Sequence, residues 1–226
     1  MKKNFSTLIL CGGKGRRLGA LGKSKPKSLV KIDKNPVLKS IIDLIPKKIS
    51  PVIYLSGYYM FDKIKNYIKK NNFKNIKLYN DGDIEILQRI KLNLVRSGHS
   101  IIVLYGDELA DVNFNSLIKN HIKSKKLLTI TTYKFYSNFG FLKKKNKKFI
   151  FLEKPYLGNF NIGFMIFDYK NLEYIGNGKK LQNYINKLCK INQVNEYSHS
   201  GYHTTFNSID ELENARKYIR KIYEKK

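Results

Sequence analysis

The chain has 226 residues, 42% of them hydrophobic, which suits one domain of moderate size able to bury a core. Lys and Arg number 44 against 17 Asp and Glu, a formal charge of +27. The lysines are spread along the chain, and no zinc finger, helix-turn-helix or RNP-type aromatic motif focuses them, so no specific nucleic-acid partner is expected; a positive surface would still attract a polyphosphate substrate. No apolar run approaches a bilayer span, Met1-Lys2-Lys3-Asn4 leads into only about five apolar residues with no cleavage-type segment, and Cys11 and Cys189 give neither a disulfide framework nor a zinc spacing. A cytoplasmic protein with no membrane partner is the expectation.

Taken in order, the elements alternate. Thr7–Cys11 reads as a strand, and Val37–Ile45 as a helix after the Pro36 start signal. A strand at Pro51–Ser56 is followed by a helix at Met60–Lys70, with Ile64, Tyr67 and Ile68 on one face. Ile76–Tyr79 is a short strand, Ile84–Val95 a helix, and Ile101–Tyr105 a buried strand ending at Gly106-Asp107. Phe114–Ser124 is helical and Leu127–Tyr133 extended. This β-α rhythm predicts a parallel sheet with helices on both faces. After about residue 136 the texture shifts to short strands at Phe139–Leu142, Phe149–Leu152 and Asn161–Phe167, then helices at Lys179–Cys189 and Ser208–Tyr223. The KKKNKK run reads as a surface hairpin turn. One domain spanning 1–226 is expected, with a nucleotide-binding half to about 135 and an acceptor-binding half from about 136.

The stretch from Leu8 to Val30, LILCGGKGRRLGALGKSKPKSLV, follows the first strand, where ligands bind in open α/β sheets. Gly13 and Gly15 begin a dinucleotide fingerprint, but Leu18 stands where its third glycine belongs. Gly22-Lys23-Ser24 ends like a P-loop, but Arg17 occupies the position of its first glycine. A third pattern fits: Gly12-Gly13-Lys14-Gly15-Arg16-Arg17-Leu18, then Pro26-Lys27. Glycines let backbone N–H groups approach phosphates, while an arginine and a lysine bracket charge developing in nucleotidyl transfer.

This loop resembles that of the sugar-1-phosphate nucleotidyltransferases, the nucleotide-diphospho-sugar pyrophosphorylases. More of that family's pattern follows in order: YGDELADV (Tyr105–Val112), FGFL (Phe139–Leu142), FLEKP (Phe151–Pro155), NIGFMIF (Asn161–Phe167) and GYHTTFNSIDELENA (Gly201–Ala215). The YGDELADV segment is particularly similar to glucose-1-phosphate cytidylyltransferases. The resemblance implies a Rossmann-like, mixed but mostly parallel sheet sandwiched by helices, the GT-A-like nucleotide-diphospho-sugar transferase fold. It further implies an Mg²⁺-dependent transferase joining an NTP, with CTP the first choice, to a sugar-1-phosphate-like acceptor, releasing pyrophosphate and an activated product for surface polysaccharide synthesis. On that resemblance Arg17 holds the pyrophosphate, Lys27 the α-phosphate, and Asp107 the metal. Gly12, Gly13 and Gly15 donate to the triphosphate, flanked by Leu10, Cys11 and Gly106. Phe139 and Gly140 belong to the sugar loop, Glu153 and Asn161 bind hydroxyls, and Lys154 clamps the acceptor phosphate. His203 in the closing strand is a candidate acceptor contact.

Two departures matter. Asn207 stands where the family usually has a second metal-binding aspartate; an amide oxygen ligates without charge, and one carboxylate plus phosphates and water suffices for Mg²⁺. Asp210, three residues on, falls in the first turn of a helix, where carboxylates are commonplace. Before the Gly-Asp strand, the family's small residues give way to DGDIEILQR, where Asp83, Glu85, Gln88 and Arg89 read equally as a base-reading edge or as a solvated helix start. Asn207 and Ile162 leave room for another acceptor, such as phosphocholine or a phospho-amino acid, or another NTP. A polyanion-binding module on an inactive transferase fold is the reading from a different class, and a homo-oligomer is compatible with either.

Overall fold

The computed structural model describes residues 5–177 and 180–224. Its centre is a seven-stranded sheet in the order β10-β6-β9-β4-β1-β2-β3. Here β1 is Ser6–Leu10, β2 Ile53–Gly57, β3 Ile76–Asn80, β4 Ile101–Tyr105, β6 Leu128–Tyr136, β9 Tyr156–Phe167 and β10 Val194–His199. β1 pairs in parallel with both β2 and β4, β2 with β3, and β10 with β6. β9 alone runs antiparallel, between β4 and β6, so the sheet is mixed but mostly parallel.

Helices cover both faces. Alternation along each strand sorts the core into two layers. Ile9, Leu55, Ile102, Leu104 and Phe164 face α2 (Val37–Leu44), α3 (Phe61–Lys70), α5 (Phe114–Ser124) and α7 (Ile209–Glu224). Leu8, Tyr54, Val103, Met165 and Phe167 face α4 (Ile86–Ser97) and α6 (Leu181–Lys190). Helix periodicity predicts these faces well: Ile64 and Ile68 of α3 are buried as expected. The expected start of the sixth helix at Lys179 lies outside the described residues. Among the described residues no helix is long and apolar enough to cross a membrane.

Two strands were not foreseen, β5 (Glu108–Ala110) and the polar edge strand β10; the expected closing strand is β11 (His203–Thr205), which forms a two-stranded antiparallel ribbon with β5. The KKKNKK run is a hairpin: β7 (Phe141–Lys145) and β8 (Lys148–Leu152) are joined by Asn146 and Lys147, both at positive φ, as a two-residue type I′ turn requires.

The parallel strands point their C-terminal ends to one edge, where the loops after β1, β2, β3 and β4 converge. An irregularity between β6 and β9, between the Ile130–Met165 and Thr132–Asn161 pairings, begins directly after Asn161 and takes in Ile162 and Gly163.

Candidate active site

The loop after β1 folds as two short turns. Gly15 sits at φ 58° and leads into a 3-10 turn, Arg16–Leu18; Gly19 then opens α1 (Ala20–Ser24). A side chain at Gly15 would be strained in that left-handed conformation. Pro26 is extended and sets Lys27 at the head of another 3-10 turn. Arg17 and Lys27 thereby face the loop after β4, which carries Asp107, and the β11–α7 connection, which carries Asn207.

These four side chains form one network. The Lys27 ammonium is ion-paired with Asp107 and donates to Asn207 Oδ1 at 3.1 Å. Arg17 donates to the same amide oxygen at 2.9 Å. The Lys27 ammonium also stands 5.1 Å from the centre of the Phe206 ring. Asn207 is fixed by a capping arrangement at the start of α7: its N–H donates to the Glu211 carboxylate at 2.6 Å, and the Glu211 N–H donates to Ser208 Oγ at 3.2 Å. Asp210 is exposed in the first turn and takes no part.

Lys27 and Asp107 stand on a ridge between two cavities. One, of about 340 Å³, is walled by Leu10, Cys11, Gly12, Gly13, Ser28, Tyr58, Asp83, Ile84, Ile86, Arg89, Tyr105 and Gly106. The other, of about 330 Å³, is walled by Gly13 to Leu18 and Asn207. Gly13, Lys27 and Asp107 belong to both.

The first cavity is where the sequence left two readings of DGDIEILQR open, and its residues divide. Asp83 lines the cavity; it accepts from Tyr58 Oη at 2.8 Å and pairs with Lys14 at 3.4 Å, and the Tyr58 hydrogen bond, then Lys14, hold its carboxyl below the usual aspartate range. Gln88 points elsewhere, donating to the Gly176 carbonyl at 2.8 Å, and lines neither cavity; the sequence expectation for it is corrected. Glu85 is exposed. Arg89 is neither base reader nor solvated: it is 4% exposed, and its guanidinium donates to the carbonyls of Gly57 at 3.1 Å and Gly82 at 2.8 Å. It thus ties the loop after β2 to the loop after β3. Asp81 lies 3.9 Å from it and accepts from Arg96 at 2.7 Å. Cys11 is buried in the wall, and burial pushes its thiol up to about 12, so it is a neutral packing group at pH 7.

The acceptor side is only partly assembled. Asn161 directly precedes the β6–β9 irregularity, but its Oδ1 accepts from Gly163 N–H at 2.9 Å. Gly163 has φ 74°, and a Cβ there would lie 2.8 Å from the Tyr105 ring, so the turn needs glycine. Ile162, which on sequence grounds leaves room for another acceptor, is fully buried in the core, so its side chain makes no acceptor contact. His203 is paired with Glu108 at 3.1 Å and lies against the Tyr133 and Phe160 rings. Phe139, Gly140, Glu153 and Lys154 sit at the base of the β7–β8 hairpin, are exposed, and line neither cavity. Tyr58, Glu108 and Ser28 were missed by sequence reasoning. Glu108 alone carried a signal, its place directly after Asp107.

A family model described as nucleotidyl transferase matches residues 6–208. A probable glucose-1-phosphate cytidylyltransferase of Bacillus subtilis is 27% identical over 92% of this chain and 93% of its own length. A putative mannose-1-phosphate guanyltransferase of Sulfolobus acidocaldarius is 32% identical over 66% of this chain, which spans only 44% of that longer relative. Among solved structures, HddC from Yersinia pseudotuberculosis, crystallised with GMP-PN, superposes with a TM-score of 0.73 at 20% identity, over 94% of this chain and 98% of that one, a likeness of fold. Since the family match runs unbroken from the first strand to the start of the last helix, through every loop that builds the two cavities, the chain belongs to the nucleotidyl transferase family.

Proposed function

We propose that the chain transfers a nucleotidyl group from an NTP to a phosphorylated, sugar-1-phosphate-like acceptor and releases pyrophosphate. One observation carries the reading: Lys27 and Asp107 line both a largely apolar-walled cavity and a basic, glycine-lined one, and form the ridge between them. A base and ribose suit the first, and the β- and γ-phosphates the second, which puts the α-phosphorus over the ridge.

The acceptor phosphate is already anionic, so no protein nucleophile is needed, and catalysis rests on positioning and charge. Lys27 meets the α-phosphate. Arg17, held on Asn207, faces the departing pyrophosphate, and its planar fork suits phosphate oxygens. Gly12, Gly13 and Gly15 line the two cavities, where backbone without side chains leaves room for phosphate. Asp107 and Asn207 supply one carboxylate and one amide oxygen on the same side of the ridge, a donor set that fits Mg²⁺ completed by substrate phosphates and water. When bound, Mg²⁺ supplies charge neutralisation on the phosphates. Lys27 pairs with Asp107, and with that carboxylate on the metal its ammonium would serve the substrate phosphates.

CTP is the first choice of donor, supported by the likeness to cytidylyltransferases in the YGDELADV segment and by the Bacillus relative; other relatives carry guanylyl- and uridylyltransferase names. Pyrophosphate release from each NTP, paired with a panel of sugar-1-phosphates, phosphocholine and phospho-amino acids in Mg²⁺, tests donor and acceptor together. Release is expected with CTP and a hexose-1-phosphate, and Asp107→Ala should abolish it. Release from no pair, alongside salt-sensitive RNA binding, would establish the polyanion-binding reading; full activity in Asp107→Ala would remove Asp107 from the metal site.

A further inference from the structure

Beyond the catalytic edge, one part of the molecule leaves most of its apolar side chains exposed among the described residues. From Phe135 to Phe160 the outer ends of β6 and β9 and the β7–β8 hairpin make an arm. Of the 21 exposed large apolar side chains among the described residues, 12 lie within it. Those 12 expose about 1,200 Å² at about 200 Å² per fully exposed large apolar side chain. The largest apolar patch on an ordinary monomer is about 300–600 Å². A standard interface buries about 800 Å² on each partner. Summed over its two faces, the arm therefore exposes about twice the apolar area of the largest single patch on an ordinary monomer, and enough for a stable pairing.

Its two faces say what kind of surface covers it. Residues opposite one another in an antiparallel pair share a face. Leu142 pairs with Phe151, and Lys144 with Phe149, which puts Leu142, Phe149 and Phe151 on one side. Phe141 pairs with Leu152 and Lys143 with Ile150, which puts Phe141, Ile150 and Leu152 on the other. A flat surface such as a bilayer covers one face of a ribbon, whereas here both are apolar. A two-stranded hairpin on its own is at best marginally stable in water, so both faces gain from a protein surface that wraps them.

Charge restricts the geometry further. The apolar pairs sit at the base of the hairpin, and Lys143, Lys144, Lys145, Lys147 and Lys148 crowd the tip. Two copies meeting tip to tip would set lysine against lysine. A two-fold axis at the base joins the apolar segments and sends the tips in opposite directions, an isologous contact that closes on itself.

We infer that the arm is the contact between two copies of this chain, joined base to base in a two-fold dimer. The residues Glu153-Lys154 and Phe139-Gly140 lie at that base, so the dimer contact borders the acceptor half of the site.

Sedimentation velocity of the full chain from about 1 to 100 μM tests this. The wild type is expected at twice the 26.4 kDa chain mass, and Leu142→Ser/Phe149→Ser at one chain mass with an unchanged circular dichroism spectrum. Both substituted side chains are two-thirds exposed, so the fold does not depend on them. A charge insertion, Leu142→Glu, should act likewise and guards against an unstable double variant. A monomeric wild type at 100 μM, or a dimer that survives both variants, overturns the inference. A monomer that floats with phosphatidylglycerol vesicles also overturns it, and would assign the arm to a lipid surface instead.

Discussion

Replacing Arg89 with lysine keeps the charge and removes the fork. The guanidinium spans two loops, with 3.1 Å to the Gly57 carbonyl and 2.8 Å to the Gly82 carbonyl, and it is almost wholly buried. A single ammonium nitrogen cannot serve both, so at least one carbonyl in a dry site loses its donor. Hydrogen bonds from charged donors contribute about 1.5–3 kcal/mol each, and an orphaned buried acceptor costs about 1–3 kcal/mol. The ion pair with Asp81 at 3.9 Å remains available to lysine. The expected net cost is therefore about 2–4 kcal/mol, a large share of the ~5–15 kcal/mol that holds a domain together. With a urea slope of about 2–3 kcal/mol per molar for a chain of this size, the unfolding midpoint should fall by about 1 M. The same loops carry Tyr58, Asp83 and Ile84 of the first cavity, so nucleotide affinity by calorimetry should weaken at least tenfold, or about 1.4 kcal/mol. A midpoint within about 0.3 M of wild type together with unchanged nucleotide affinity would refute the assignment of Arg89 as the tie between the β2 and β3 loops.

Two further outcomes follow from the same edge. Burial alone would raise the Asp81 carboxyl, but hydrogen bonds from Arg96 and Ser56 and the charges of Arg96 and Arg89 outweigh it and hold it below its ordinary value. A carboxylate depressed in the folded state stabilises the protein above its unfolded pKa and loses that contribution as pH falls through the folded value. Wild type should therefore lose stability as pH drops below about 4, while Asp81→Asn should be less stable at pH 7 by about 3 kcal/mol and lose less on acidification; parallel acid-unfolding curves would contradict this. At the ridge, Asn207→Asp should keep turnover and lower the Mg²⁺ concentration for half-maximal pyrophosphate release. An unchanged Mg²⁺ dependence would take Asn207 away from the metal.

How far the sequence could be read depends on whether information is local. β1 and β4 are apolar runs cut off by glycine, and their ends and contents are plain in the chain. β10 is not, because Val194–His199 is an edge strand whose polar residues face water, and its pairing with β6 is a property of the assembled sheet. Arg17, Lys27, Asp107 and Asn207 are legible because each lies on a loop whose composition is fixed by its own turn chemistry. The first cavity is different. Tyr58 follows β2, whereas Asp83 lies in the loop after β3 and Ile86 opens α4, with α3 and β3 between the two groups, and nothing near Arg89 in sequence reveals that the Gly57 and Gly82 carbonyls converge on it. Spacing therefore located the chemistry of phosphate handling but could not say which polar residue in DGDIEILQR faces the cavity.

The acceptor half shows the opposite failure, where the motif is legible and its placement is not. Glu153-Lys154 and Phe139-Gly140 are legible as pattern, yet they line neither cavity, because the hairpin that carries them pairs β7 with β8 alone and stands apart from the central sheet. Residues anchored in the sheet, such as His203 against Glu108 and Asn161 against Gly163, hold fixed partners. Those on the arm depend on whatever covers its apolar faces. Contacts to the acceptor phosphate through Lys154 should then be sensitive to protein concentration in a way that nucleotide contacts through Arg17 and Lys27 are not. The acceptor KM of wild type should rise on dilution below the dimer dissociation constant while the NTP Kd stays constant. A rise in both, or in neither, would detach the acceptor site from the arm.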